Sequence, residues 1–278
     1  MKIAVLSGKG GAGKTFVSTN LATVANQAVY VDCDVEEPNG RLFFKPEDIT
    51  TNNVYISLPI FDEEKCTGCR KCVDFCKFNA LVFIKNKPLL FPEVCHSCGG
   101  CSLVCKENAI EEKQKSIGII EQGHHNHTKV VTGVLNLGEA SGVAVIQQAL
   151  KTVEKSSELV IIDCPPGSAC SVIESVEDAD YCILVVEPTA FGFHNFRMVY
   201  ELVTLLQKPC GIVINKMDST YEPLEEFCIQ NKIPILLRIP FSKKMAQMCS
   251  EGKLVSEEDE KTAQMFRNLL EMIGGAPV

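Results

Sequence analysis

The chain has 278 residues, 46% of them hydrophobic, and a formal net charge of −8 at pH 7. This is an ordinary globular composition with room for one large or two smaller domains, and the negative charge argues against nucleic acid as a partner. No early apolar stretch resembles a signal peptide, and no run approaches the roughly 20 apolar residues of a membrane span, so we expect a cytoplasmic protein without a membrane span.

The first predicted element is a short apolar strand over Ile3 to Leu6, followed by a glycine-rich loop and a helix over Thr15 to Asn26. The loop satisfies the pattern G-x-x-x-x-G-K-[ST] with Gly8, Lys9, Gly10, Gly11, Ala12, Gly13, Lys14 and Thr15. Its amides and the helix dipole would face phosphate, Lys14 would reach the β- and γ-phosphates, and the Thr15 hydroxyl would coordinate Mg²⁺. The sequence therefore predicts a nucleotide site with Mg²⁺.

The second predicted strand, Val29 to Val31, is followed by Asp32 and Asp34. In an α/β sheet the carboxyl ends of the strands face the ligand, so these carboxylates are expected to open onto the nucleotide. Asp32 has two interpretations, a direct role at the site or a hydrogen bond that ends its strand.

Two cysteine strings with the spacing C-x2-C-x2-C-x3-C follow, and they contain eight of the 15 cysteines. This spacing binds a [4Fe-4S] cluster, and in two-cluster ferredoxins the fourth cysteine of each string ligates the other cluster. The sequence therefore predicts two clusters. One would be held by Cys66, Cys69, Cys72 and Cys105, and the other by Cys95, Cys98, Cys101 and Cys76.

The two strings belong to a duplicated unit. Lys77, Asn79 and Ala80 after the first string recur as Lys106, Asn108 and Ala109 after the second. Zinc is the alternative metal because it also binds C-x2-C pairs, but two four-coordinate zinc sites do not require the remaining cysteines at this spacing. Lysine stands where proline usually follows the fourth cysteine. The conformation of the turn at this point is therefore not predicted, but the cysteine ligands are unaffected.

Three histidines, His124, His125 and His127, lie in a polar stretch after the cysteine region, where the apolar pattern has returned at Ile117. Three imidazoles could bind a metal ion. The favoured interpretation is an exposed loop that joins two strands.

The remaining apolar runs alternate with helical patterns and lack a clear period of two, as expected of strands buried on both faces. They are Leu159 to Ile162, Cys182 to Val186, Gly211 to Ile214 and Ile235 to Ile239. Asp163 directly follows the first of these runs. The predicted fold is α/β, a doubly wound, mostly parallel sheet with a small inserted α+β domain of the bacterial ferredoxin type.

Together these residues resemble the deviant Walker A P-loop ATPases, the superfamily of MinD, the Mrp-type carriers and the nitrogenase iron protein. The chain resembles most closely the members that carry an inserted two-cluster ferredoxin domain. The resemblance covers essentially the whole chain, including Glu187-Pro188-Thr189, the Asn215 turn and Ile239-Pro240-Phe241.

The resemblance implies roles for particular residues. Lys9 matches the signature lysine that reaches the partner's nucleotide across a homodimer, Asp34 the residue that orients the attacking water, and Asp163 the residue near Mg²⁺. Asp34 and Asp163 would both act on Mg²⁺ through water. Thr189, Asn215 and Pro240 are further nucleotide-binding residues on this resemblance.

The resemblance favours ATP as the nucleotide. GTP is the alternative, because Asn215-Lys216-Met217-Asp218 also fits the N-K-x-D pattern that binds guanine. Cys170 matches a cysteine that bridges a cluster between subunits in the nitrogenase iron protein. That protein uses a second cysteine per subunit, for which this chain offers no candidate between Cys105 and Cys164, so a buried structural thiol is the other interpretation of Cys170.

These features predict a discontinuous ATPase domain over residues 1–60 and 114–278 and an inserted ferredoxin domain over 61–113. The first functional hypothesis is a nucleotide-stabilised homodimer whose ATP cycle gates electron transfer or cluster delivery to a metalloenzyme or electron-transfer partner. The second is an ATP-dependent binding or positioning switch, in which the ferredoxin acts as a redox sensor or a structural brace.

Overall fold

The structure is a computed structural model that describes residues 1–274. The strands are β1 (Lys2–Ser7), β2 (Ala28–Asp32), β3 (Glu47–Phe61), β4 (Leu81–Ile84), β5 (Lys87–Leu90), β6 (Ile110–His125), β7 (Thr128–Leu135), β8 (Leu159–Asp163), β9 (Tyr181–Val186), β10 (Cys210–Met217) and β11 (Ile235–Pro240). The helices are α1 (Lys14–Val24), α2 (Gly40–Phe44), α3 (Lys71–Phe75), α4 (Gly100–Val104), α5 (Val143–Lys151), α6 (Cys170–Val176), α7 (Ala190–Leu205), α8 (Glu222–Gln230), α9 (Lys243–Ser250), α10 (Val255–Glu258) and α11 (Glu260–Met272). None of these helices is long and apolar enough to cross a membrane.

Nine strands form one twisted sheet in the order β11-β10-β9-β1-β8-β2-β7-β6-β3. Neighbours from β11 to β7 pair in parallel, and β6 and β3 add an antiparallel edge. The doubly wound, mostly parallel α/β sheet predicted from the sequence is therefore confirmed. Its topology brings the carboxyl ends of β1, β8 and β2 side by side.

Both faces of the sheet are buried, which explains why the central strands read as continuous apolar runs. Along β1, Ala4 and Leu6 pack into the core on one face, whereas Ile3 and Val5 pack into the core on the other. Side chains of successive strand residues point to opposite faces, so a strand covered on both sides needs apolar residues throughout.

A long antiparallel ribbon carries the cysteine-rich segment away from the sheet. β3 pairs with β6 from Glu47–His124 to Phe61–Ile110, whereas β6 pairs with β7 only from Gly118 onward. The distal half of the ribbon therefore has no third strand beside it in the described part of the chain. Residues 62–109 span the end of this ribbon and contain the β4–β5 hairpin and the short helices α3 and α4.

The duplication seen in the sequence is also visible in the backbone. Asn79 and Asn108 both adopt left-handed conformations, with φ of 53° and 49°, and Ala80 and Ala109 are both buried. The turn after the fourth cysteine forms in the same way in each unit: the amides of Asn79 and Asn108 donate to the carbonyls of Cys76 and Cys105. The turn therefore forms in both units with lysine after the fourth cysteine.

The predicted domain boundaries fall near the tip of the ribbon rather than at its base. Residue 61 is the last of β3, and residue 113 lies inside β6. Because both strands are continuous from the sheet to the cysteine segment, the boundary residues belong to shared elements. The division into 1–60, 61–113 and 114–278 remains a prediction.

Candidate functional site

The phosphate loop joins β1 to α1 at the carboxyl edge of the sheet. Gly13 stands directly before α1 with φ of 96°, a conformation that glycine adopts without strain. A Cβ atom at Gly13 would lie 2.0 Å from Asn215 Nδ2. A glycine is required here for both reasons, and it allows the loop to approach the Asn215 side chain of β10 closely. Helix α1 starts at Lys14, one residue earlier than predicted, and ends at Val24 because Ala25 is extended.

The loop forms one wall of a cavity of about 910 Å³. Of the residues predicted from sequence, Gly10, Gly11, Gly13, Lys14, Thr15 and Asp34 line it. The opposite wall comes from the segment after β2, the segment after β8 and the α9–α10 connection. A cavity of this size at a helix N-terminus, next to backbone amides, suits a phosphate-bearing ligand.

Lys14 is buried and neutralises a cluster of carboxylates. Its Nζ lies 2.6 Å from Asp163 Oδ1 and 3.4 Å from Asp34 Oδ2. Burial acts to lower the pKa of Lys14, but Asp163, Asp34 and Asp32 together raise it above its usual value. Lys14 is therefore a fixed cation between the two aspartates to which the family resemblance gives roles toward Mg²⁺ and the attacking water.

The second oxygen of Asp163 accepts a hydrogen bond of 2.9 Å from the Tyr30 hydroxyl. Tyr30 is buried in β2, two strands from β1, and was not singled out from the sequence because an apolar strand gives no signal for such a contact. With Lys14 on one oxygen and Tyr30 on the other, the Asp163 carboxylate has a fixed orientation.

Asp32 is buried and ends its strand, as the second interpretation of this residue held. Its two oxygens accept hydrogen bonds from the backbone amides of Asp34 and Gly40. Burial and the neighbouring Asp163 raise the pKa of Asp32 to about 8, although Lys14 and the Gly40 amide act to lower it. Asp32 thus shapes the segment that carries Asp34.

The raised pKa of Asp32 predicts a pH-dependent stability. Between about pH 4 and about pH 8 the folded protein retains a proton on Asp32 that the unfolded chain has lost, so unfolding releases this proton. Raising the pH through this window is therefore expected to lower the free energy of unfolding of the nucleotide-free protein. Denaturant unfolding at pH 6 and pH 8 measures the change, and Asp32→Asn should reduce it. An equal pH dependence in both proteins would contradict the assignment.

Lys9 lies outside the wall of the large cavity and points to Glu187. The Lys9 ammonium forms an ion pair with one Glu187 oxygen and lies 5.6 Å from the centre of the Phe191 ring. Lys216 Nζ lies 2.7 Å from the other Glu187 oxygen and also donates to the Gly11 carbonyl at 2.6 Å. Burial acts to raise the pKa of Glu187, but Lys216 and Lys9 hold it below its usual range. The sequence analysis quoted Glu187 within a motif but gave it no role.

The remaining predicted nucleotide-binding residues do not line this cavity; they are Gly8, Ala12, Thr189, Asn215 and Pro240. Asn215 is buried and donates from Nδ2 to the Ala12 carbonyl at 2.8 Å, so it supports the loop directly. Pro240 ends β11 and pairs with Met217 of β10, which places it next to Asn215. Thr189 caps α7 by accepting a hydrogen bond from the Gly192 amide. Gly8 begins the loop after β1.

Cys170 is the first residue of α6 and is exposed, so it is not a buried structural thiol. The other cysteines outside the two strings agree better with core packing. Cys33, Cys164, Cys182 and Cys228 are buried, and Cys210 and Cys249 are partly buried.

The three histidines do not form a common site. His124 and His125 are consecutive residues at the end of β6, so their side chains leave the strand on opposite faces, and His127 lies in the turn to β7. His125 contacts Glu257 at 2.9 Å and packs against the Phe44 ring. The strand-joining turn predicted from the sequence is present, but it consists only of residues 126 and 127.

The eight string cysteines line two separate cavities in the ribbon-borne segment. One cavity, of about 20 Å³, is lined by Cys66, Cys69, Cys72 and Cys105. The other, of about 250 Å³, is lined by Cys76, Cys95, Cys98 and Cys101. Each cavity thus receives three cysteines from one string and the fourth from the other. Within residues 1–274, no three His, Cys, Asp or Glu side chains converge as the ligands of a single metal ion would.

A groove of about 710 Å³ separates the second cysteine cavity from the sheet domain. It is lined on one side by Cys95 and Cys98 and on the other by residues of the β7–α5 connection between Gly138 and Ala144. Gly142, in the same connection, lines the large cavity beside the phosphate loop. One loop therefore borders both sites.

The chain is similar to known proteins both in sequence and in fold. Residues 3–255 match the family model described as the CobQ/CobB/MinD/ParA nucleotide binding domain. An uncharacterised protein of Methanocaldococcus jannaschii is 33% identical over 280 residues, which cover 98% of this chain and 96% of the relative.

Two solved structures share the fold. The cell division ATPase MinD of Pyrococcus furiosus has a TM-score of 0.61 at 17% identity and covers 98% of both chains. The septum site-determining protein MinD of Pyrococcus horikoshii, complexed with Mg-ADP, has a TM-score of 0.60 at 17% identity and covers 98% of this chain and 95% of its own.

Proposed function

The chain belongs to the CobQ/CobB/MinD/ParA nucleotide-binding family, and from this premise we propose that it is a Mg²⁺-dependent ATPase whose nucleotide state controls two [4Fe-4S] clusters. The observation that carries the proposal is the lining of the two cysteine cavities. Each contains the crossed set of four cysteines that a two-cluster ferredoxin requires, on the same chain as a phosphate loop.

The nucleotide site contains the groups that phosphoryl transfer needs. The amides of the loop and the Lys14 ammonium would bind the phosphates and stabilise charge on the transferred group. The Thr15 hydroxyl and the carboxylates of Asp34 and Asp163 are hard oxygen donors, which suit Mg²⁺. Bound Mg²⁺ would neutralise the phosphate oxygens. Asp34 is the residue that would position the attacking water.

Lys14 is paired with Asp163 and Asp34 in the structure. Phosphate binding would compete for this ammonium, and Mg²⁺ would replace it as the counter-charge of the two carboxylates. Nucleotide binding is thus expected to rearrange the segments after β2 and after β8, which carry Asp34 and Asp163.

The cysteine cavities suit iron-sulfur clusters by the chemistry of their donors, since four cysteines line each of them. Such clusters supply one-electron transfer. The β7–α5 connection, which borders both the nucleotide cavity and the groove beside Cys95 and Cys98, is the element that would couple the two sites. Through this coupling, the nucleotide state would control electron transfer or cluster delivery to a metalloenzyme or electron-transfer partner.

ATP is the proposed nucleotide. GTP remains the alternative because Asp218 follows Asn215 in the N-K-x-D pattern, and Asp218 is exposed at the end of β10. Measuring the hydrolysis of ATP and GTP in competition shows directly which of the two nucleotides the protein prefers.

Anaerobically purified and reduced protein should show paired [4Fe-4S] signals in electron paramagnetic resonance that change when MgATP is added. If the protein hydrolyses ATP but these signals do not change, the proposed coupling between nucleotide and clusters is wrong, and the ATPase part of the proposal still holds.

The crossed ligand sets predict the effect of single cysteine substitutions. Cys105→Ser should remove the cluster held by the first string, and Cys76→Ser the cluster held by the second, each lowering bound iron from about eight to about four atoms per chain. Iron and acid-labile sulfide analysis measures the loss. Cys210→Ser, at a partly buried cysteine outside the strings, is the control. If Cys105→Ser instead removed the second string's signal, the crossed assignment would be wrong.

A second candidate function is an ATP-dependent binding or positioning switch with the cysteine segment as a redox sensor or brace. The observation that favours it is the shared fold with cell division ATPases. This function predicts ATP-dependent binding to a surface or protein while the cluster signals ignore nucleotide, which the same resonance experiment decides.

A further inference from the structure

The two halves of the duplicated cysteine segment differ at two positions that carry hydroxyls in the second half only. Ser97, between the first two cysteines of its string, matches Gly68 in the first string. Ser102, directly after the third cysteine, matches Val73. The two cysteine sets therefore have different polar surroundings, although their backbones follow the same course.

Both hydroxyls are buried and lack a partner. Within residues 1–274, Ser97 Oγ and Ser102 Oγ are the buried side-chain oxygens or nitrogens that make no hydrogen bond. Most buried polar atoms are hydrogen-bonded, so an unpartnered hydroxyl indicates a missing acceptor. Two of them in one small segment point to the same missing group.

The position of Ser97 indicates what this acceptor is. Ser97 lines the cavity of the second cysteine set, beside Cys95 and Cys98. Its φ is 51°, in the left-handed region where the first string has Gly68 at 70°. Serine thus occupies a backbone position that glycine would adopt with less strain.

Ser102 lies beside the same set through its neighbour in the chain. It directly follows Cys101 in α4, and Cys101 lines the cavity of the second cysteine set. The residue that follows the matching Cys72 is Val73, which has no hydroxyl.

We propose that the Ser97 and Ser102 hydroxyls donate hydrogen bonds to the sulfurs of the cluster held by Cys95, Cys98, Cys101 and Cys76, and give it the higher reduction potential of the two. The inference rests on the iron-sulfur part of the proposed function. Hydrogen bonds to sulfur stabilise the extra negative charge of the reduced cluster, so they raise its potential.

This difference would set a preference for electrons within the chain. When an external one-electron donor has supplied a single electron to the protein with both clusters bound, that electron would favour the cluster held by Cys95, Cys98, Cys101 and Cys76. The second set is the one that faces the groove beside the β7–α5 connection. The reduced cluster would therefore be the one on the side of the nucleotide site.

The test is an anaerobic redox titration followed by electron paramagnetic resonance, on the wild type and on Ser97→Gly, Ser102→Val and the double variant. Each substitution installs the residue that the first string already uses, so the fold should be retained. Each lost hydroxyl should lower the equilibrium constant of the higher one-electron step about tenfold, which is ~59 mV, and leave the lower step unchanged. Val73→Ser is the converse variant and should raise the lower step.

The outcomes are separable. Full iron content with two steps that do not shift in the double variant, or steps that coincide in the wild type, would overturn this inference and leave the proposed function intact. Absence of clusters after anaerobic reconstitution would overturn the iron-sulfur part of the proposed function and this inference together.

Discussion

Replacing Lys14 by methionine is expected to lower ATP hydrolysis by about 1,000-fold and to destabilise the nucleotide-free protein by about 3–5 kcal/mol. Catalysis falls because Lys14 is the cation of the phosphate loop. Stability falls because Lys14 is the buried counter-charge of Asp163 at 2.6 Å and of Asp34 at 3.4 Å, and its loss leaves these carboxylates uncompensated. Phosphate release under steady-state conditions and denaturant unfolding measure the two effects.

A double variant separates the two effects of Lys14. Adding Asp163→Asn to Lys14→Met removes one of the uncompensated charges, and the amide oxygen of asparagine can still accept the Tyr30 hydrogen bond. The double variant should therefore recover much of the lost stability but none of the lost hydrolysis. Lys151→Met, at an exposed lysine on α5, is the control and should change neither. A Lys14→Met protein as stable as the wild type would show that the carboxylates do not depend on this ammonium.

The features that could be predicted from the sequence are those whose chemistry depends on local spacing. The phosphate loop needs its glycines and Lys14 at fixed positions between a strand and a helix, and the structure has that arrangement. The cysteine strings could be predicted for the same reason, because each string supplies three cysteines to one cavity from within a few residues. The central strands were predictable because burial on both faces requires continuous apolar residues, as in β1.

Contacts between distant residues left no such signal. Glu187 is far in sequence from both Lys9 and Lys216, and only the strand order β10-β9-β1 brings the three together. The ribbon of β3 and β6 was missed for another reason. The distal part of β6, residues 111–116, has no third strand beside it and consists of polar residues, so it lacks the apolar pattern that indicates a buried strand.

Replacing Lys9 by alanine is expected to lower ATP-dependent dimerisation and to reduce hydrolysis by about 1,000-fold, with little loss of stability. Lys9 is paired with Glu187 in the structure and lies outside the wall of the large cavity beside the phosphate loop. To act on a partner's nucleotide, as the family resemblance implies, it must leave this pair. Glu187→Gln should therefore have the opposite effect and strengthen the ATP-dependent dimer several-fold. Light scattering with MgATP measures dimerisation, and Lys216→Met controls for the second lysine on Glu187.

Mixing two inactive variants tests whether Lys9 acts across the dimer. A Lys9→Ala subunit has an intact Lys14 and Asp34 but supplies no Lys9, whereas an Asp34→Ala subunit supplies Lys9 but cannot position water. If Lys9 acts on its partner, each mixed dimer contains one complete site, and an equal mixture should recover up to about a quarter of the wild-type rate, and less to the extent that the loss of one Lys9 weakens the mixed dimer. If Lys9 acts within its own subunit, neither site is complete and the mixture stays inactive. Recovery would show that Lys9 acts on the partner's nucleotide, which requires it to leave the ion pair with Glu187.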